Sequence, residues 1–161
     1  MSLAKDNPYY RMPSDYEDDI YLWAHEQAQL LRLGRFSEVD LPNVIEEIES
    51  LGREVRTQLE FHYRDLISHL LEWQEAPENR TSEIDGAILN CRFAIQEEEA
   101  DSRSLRSDAK RIVADVYPGA VRLAMTATGL ERHRFPFECP FSIEFLRDLD
   151  AMPVIGQGGE T

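Results

Sequence analysis

The chain has 161 residues, 31 Asp and Glu against 17 Lys and Arg, a formal net charge of −14 and a pI near 4.6. That length suits one domain, able to bury roughly 70% of its unfolded surface without a disulfide or metal staple, and 42% apolar content sets it apart from disordered chains. The acid excess argues against a nucleic-acid binder, which needs cations to displace counterions from phosphate, and against docking on an anionic membrane surface.

Helix signals dominate from the start. Ser14 with Glu17 three residues on, behind Pro13, reads as a capping box. Ile20, Trp23, Ala24, Gln27, Leu30 and Leu31 follow at helical spacing, and Gly34 closes the helix as a left-handed residue. Asp40 is the expected N-cap of a second helix, with Pro42 in its first turn, running to about Trp73. Its inner stripe reads Ile48, Gly52, Val55, Leu59, His62, Leu66, His69 and Trp73, in heptad-like steps of four and three. Gly52 marks a possible kink or close crossing. Tyr63, Ile67, Leu70 and Leu71 form a second stripe, and a two-sided helix of this kind sits centrally in a bundle or lines a dimer interface.

Thr81 and Ser82 are the candidate caps of a third helix through about Ala100, with Ile84, Ile88, Cys91 and Ile95 on one face. A fourth begins near Ser104. Tyr117-Pro118-Gly119 interrupts it, so a kinked or broken pair ending at Gly129 is expected. From Phe135 to Phe145 the texture turns aromatic, and Ser142 caps a last short helix to about Asp150. The expected fold is all-α: an up-and-down bundle of about four long helices in one domain over residues 1–153, with a short C-terminal helix, an aromatic flap and a flexible tail over 154–161.

No apolar run approaches the roughly 20 residues of a membrane span, and no signal peptide is legible, so the expected compartment is the cytoplasm. Cys91 and Cys139 are far apart and read as free thiols.

Three constellations bear on chemistry. His25-Glu26-Gln27-Ala28-Gln29 begins like HExxH but has Gln29 in place of the second histidine, so a zinc ligand is missing. Glu46, Glu49, His62 and His69 are the candidate metal ligands. Against them, the Glu-x-x-His pair of di-iron bundles is absent, and Glu46 and His62 stand roughly 24 Å apart along one helix. The alternative is that the histidines are hydrogen-bonded at a helix interface. Arg103, Arg106 and Lys110 form a basic stripe, suited to an anion or, more simply, to balancing Glu97, Glu98 and Glu99. No GxSxG, P-loop or GxGxxG motif is present, and no cofactor is expected.

Four stretches carry a resemblance. They are Tyr16-Glu17-Asp18-Asp19-Ile20-Tyr21-Leu22-Trp23 with Gln27, Leu30, Leu31 and Gly34-Arg35; Asp40-Leu41-Pro42-Asn43-Val44-Ile45-Glu46-Glu47-Ile48-Glu49-Ser50-Leu51-Gly52; His69-Leu70-Leu71-Glu72-Trp73-Gln74; and Thr128-Gly129-Leu130 with Phe135-Pro136 and Cys139-Pro140-Phe141. In order and spacing the chain resembles the bacterial domain-of-unknown-function-29 family over about residues 9–153. The resemblance implies an all-helical, cytoplasmic bacterial protein and no particular reaction. It picks out Asp19, Trp23, Asn43, Glu46, Glu47, Glu49, His69 and Trp73 as candidates for a shared polar cluster, and Glu72 departs from the lysine usual in the family.

The leading functional expectation is a non-enzymatic helical interaction module, a homodimer, with Trp23, Trp73, Arg103, Arg106 and Lys110 as interaction candidates. A basic protein partner is a variant of this reading, because residues 1–100 carry 22 acids and 9 bases while residues 101–161 carry 9 and 8. The alternative is a bundle that binds a metal or small ligand through its Glu and His residues, and that works as an enzyme.

Overall fold

The computed structural model describes residues 14–154. Among them are six α-helices, four of them long, and no strand: α1 Ile20–Arg32, α2 Leu41–Glu75, α3 Ser82–Asp101, α4 Arg103–Ser107, α5 Ala109–Thr128 and α6 Ile143–Arg147. The all-α expectation therefore holds, with four long helices and a short last one. Of the tail expected over 154–161, only Val154 lies within the described residues. The chain divides into two compact units, residues 1–52 and 53–161, with the boundary inside α2.

In the first unit, α1 begins five residues later than the capping box proposed. Asp19 is the N-cap, its carboxylate accepting from the Leu22 amide at 3.0 Å, while the Ser14 amide donates to Glu26. An aspartate one residue before the periodic run caps as well as a serine and adds charge at the positive helix end. The other end is as expected. Gly34 has φ +69°, its amide donates to Leu31 O, and the Arg35 amide reaches Leu30 O, a Schellman closure. Helix α2 continues without interruption across Gly52, where a Cβ would meet open space, so no close crossing occurs there.

The second unit holds the core. Leu59, Tyr63, Leu66, Ile67, Leu70 and Leu71 of α2 pack with Ile88 and Ile95 of α3. Ile112, Val113, Ala120, Val121 and Ala124 of α5 and Leu146 of α6 complete it. The buried side of α2 thus follows the second stripe. Leu59 and Leu66 of the first stripe are buried, His62, His69 and Trp73 are half-buried, and Ile48, Gly52 and Val55 are exposed. Each fully covered Leu or Ile contributes about 1.5–3 kcal/mol relative to exposure, so this short stretch dominates the unit's stability.

Thr81 caps α3 and Ser142 caps α6, the latter accepting from the Phe145 amide at 3.2 Å. The break expected at Pro118 is instead at Asp108, whose amide is shared between Ser104 O and Leu105 O. Pro118 lies inside an unbroken α5. Its ring faces solvent, Tyr117, Ala120 and Val121 on either side are buried, and Gly119 leaves room for the Arg64 stem, to which a Cβ would come within 3.2 Å. Core packing on both flanks outweighs the lost hydrogen bond. Gly129, φ +70°, ends α5 as expected.

Candidate functional site

The polar cluster that the family pattern suggests is partly assembled, within the first unit. The Trp23 indole, 4% exposed, donates to Asp40 Oδ2 at 3.3 Å, and Asn43 Nδ2 donates to the same oxygen at 2.8 Å. Gln27 accepts from the Asp40 amide at 2.8 Å. Tyr16 stands edge-on to Trp23, and its hydroxyl donates to Glu47 Oε1, a bond that pushes the phenol up to about 12. Asp40 therefore ties α1 to the start of α2 with three hydrogen bonds, to Trp23, Gln27 and Asn43. It is a built joint between helices. Glu46 and Glu49 are exposed, Glu46 adding its charge to the field that raises the Tyr16 phenol, and Trp23 is buried within its own unit.

Around that joint large apolar side chains are exposed. Leu41, Ile45, Ile48 and Leu51 on α2 are exposed, as are Ile20, Tyr21, Leu31, Leu33 and Phe36. Within residues 14–52 only Trp23 and Gln27 are buried. Leu41, Ile45 and Ile48 fall in steps of four and three, the spacing by which one helix face meets another.

His69 and Trp73 belong to the second unit. His69 lines a cavity of about 400 Å³ with Arg64, Asp65, Ser68, Glu72 and Leu123. Its Nδ1 is covered, has no hydrogen-bond partner and lies 3.8 Å from the nearer oxygen of buried Glu72. The expected hydrogen-bonded interface histidine is absent at this nitrogen. Glu72 instead accepts from Asn79 Nδ2 at 2.7 Å. His62 is half-buried with its ring edge-on to Phe61. The four candidate metal ligands are not brought together: among the described residues no group of three or more His, Cys, Asp and Glu side chains is close enough to hold a metal ion. Trp73 packs on the core and accepts from Arg80 through its carbonyl.

The basic stripe is exposed at Arg103, Arg106 and Lys110. Its expected acidic counterpart, Glu99, is turned inward. Only 2% exposed, Glu99 accepts from Tyr63 Oη at 2.7 Å and from Arg147 Nη2 at 2.8 Å. Burial, then the Glu99 hydrogen bond, raises the Tyr63 pKa. Beside it Arg92, 1% exposed, donates to the carbonyls of Phe145, Leu146, Leu149 and Ala151, clamping the end of α6 and the segment after it. Burial lowers the Arg92 pKa, and Asp148 and Asp150 offset part of that. Sequence reasoning did not single out Arg92 or Arg147, and it placed Tyr63 on an apolar stripe and Glu99 among the acids beside the basic stripe without joining them. A signal was present for two: Ile88, Arg92, Ile95 and Glu99 follow one another at four, three and four, so both charges ride the buried face of α3.

Comparison with known proteins matches residues 16–151 to the family model described as Domain of unknown function DUF29. The fold is an all-α bundle, and the chain belongs to the DUF29 family. No curated protein and no solved structure matches it.

Proposed function

We propose that the protein is a non-enzymatic interaction module of the bacterial cytoplasm that self-associates through the exposed face of α2 in its first unit. The observation that carries this is the bare run Leu41, Ile45, Ile48 and Leu51, with Ile48 63% exposed, on a helix whose start is fixed by the Asp40 joint. A rigid apolar helix face at heptad spacing has its best complement in another such face, and a second copy supplies one through a two-fold contact. Residues 1–52 hold 11 acidic and 4 basic residues, so two copies repel each other through their charges. Self-association then tightens as salt rises, whereas binding to a basic partner weakens.

Sedimentation at tens of micromolar, in about 50 mM and about 500 mM salt, tests this. A dimer that strengthens with salt and is lost in Ile48→Glu is expected. A particle that stays monomeric throughout, or a dimer indifferent to Ile48→Glu, defeats the reading.

A second reading rests on His69 Nδ1, which has no hydrogen-bond partner in the 400 Å³ cavity that Arg64 also lines. It makes this a binding site for a small polar ligand or a metal. Mn, Fe, Zn or Ni added to chelator-free protein then raises the melting temperature, and an unchanged melting temperature removes the metal form of the idea.

A further inference from the structure

We infer that the cavity between α5 and the segment leading into α6 binds an uncharged small molecule with an aromatic or alicyclic body. The space is about 600 Å³, within the range of small-molecule sites. Val113, Tyr117 and Ile143 line it and are buried. Two polar groups of the lining are already engaged: Tyr117 Oη donates to Pro136 O at 2.9 Å, and Cys139 Sγ to Phe141 O at 3.7 Å. A hydrocarbon body entering here therefore leaves neither of these donors without a partner.

The mouth carries Lys110 and Arg132 against Glu138 and Glu144, two charges of each sign. Arg132 Nη1 is tied to the carbonyls of Phe135 and Pro136. Glu144 is held below the usual carboxylate range by its own backbone amide and the Ser142 hydroxyl, with Lys110 nearby. A rim with two charges of each sign gives an ion little net field to offset its lost hydration. Phe137 stands at this mouth with 88% of its surface exposed. It adds little to the fold, and a bound ring covers it.

The test is titration of the full chain with N-phenyl-1-naphthylamine, an uncharged fluorescent probe. A saturable fluorescence rise at one probe per chain is expected. Phe137→Ala weakens binding at least about tenfold with an unchanged melting temperature, in keeping with covering one large aromatic side chain. Ala114→Trp, at an exposed position in the lining, blocks the probe, while Ile48→Glu leaves it unaffected. In Cys91→Ser, where Cys139 is the remaining thiol, bound probe slows maleimide labelling severalfold. The anionic analogue 8-anilinonaphthalene-1-sulfonate binds more weakly. Unsaturable binding, an unchanged affinity in Phe137→Ala, or tighter binding of the sulfonate overturns the assignment.

Discussion

Helix α2 is two different helices joined end to end. From Leu59 to Glu72 it is the centre of a core, with eight residues buried; from Leu41 to Gly52 it has none. Both stretches are apolar and periodic, and both start from good local signals. The difference is what covers them. In the second unit α3, α5 and α6 wrap the helix, while in the first unit the polar joint at Asp40 fixes α1 and leaves the apolar side bare. Apolar periodicity therefore reports that a helix has something to bury, and only tertiary structure decides whether its own chain supplies the cover.

The largest expected effect breaks this comparison at its strongest point. Leu66→Ala removes a fully buried side chain and should cost about 2–5 kcal/mol in urea unfolding, whereas Ile48→Ala in dilute, monomeric protein should cost under about 0.5 kcal/mol. Equal costs would mean that the first unit's face is covered after all. Next is Arg147→Met. It leaves the Glu99 carboxylate buried beside Tyr63 without its cation, an expected loss of about 3 kcal/mol. Glu99→Gln with Arg147→Met should recover much of it, because the uncompensated charge is what costs.

The sequence was most legible where structure is local. Gly34, Gly129, Thr81 and Ser142 act within three or four residues, and each sits where backbone chemistry puts it. Pro118 misled because a local penalty was outweighed by contacts from Tyr117, Ala120 and Val121 that a local reading does not weigh. At the candidate sites Trp23 and Asn43 lay among the residues the family pattern picks out, and Asp40, expected as a helix N-cap, is what joins them. Spacing put Glu99 and Arg92 on the buried face of α3, but their partners lay 36 to 59 residues away, and nothing local names Arg147 as the cation that Glu99 meets. For the candidate metal ligands suitable residue types occurred, but among the described residues no three His, Cys, Asp or Glu side chains are gathered to hold an ion.

A smaller effect appears in alkali. Burial holds the Tyr117 phenol at about 12, against 10 in the unfolded chain, and Tyr63 is raised likewise. The native state therefore favours the neutral phenols. Their contribution is complete below pH 10 and is lost as pH climbs toward 12, where the unfolded chain ionises first. Urea midpoints measured from pH 9 to 11.5 should fall, and Tyr117→Phe should flatten the slope. An unchanged slope would remove Tyr117 from the account.

The smallest effect compares the units most evenly. Gly34 ends α1 and Gly129 ends α5 with φ of +69° and +70°, and a Cβ at either meets open space. Alanine at each position therefore carries the same local penalty, about 1–2 kcal/mol for a left-handed non-glycine residue. The readouts should differ. Gly129→Ala strains a helix whose side chains belong to the core, so the whole penalty should appear in the global urea midpoint. Gly34→Ala strains a unit in which, among the described residues, only Trp23 and Gln27 are buried, so its penalty should appear as faster amide exchange in α1 with little change in the global midpoint. If the protein dimerises through α2, that exchange should slow again at high salt, because association then stabilises the first unit itself.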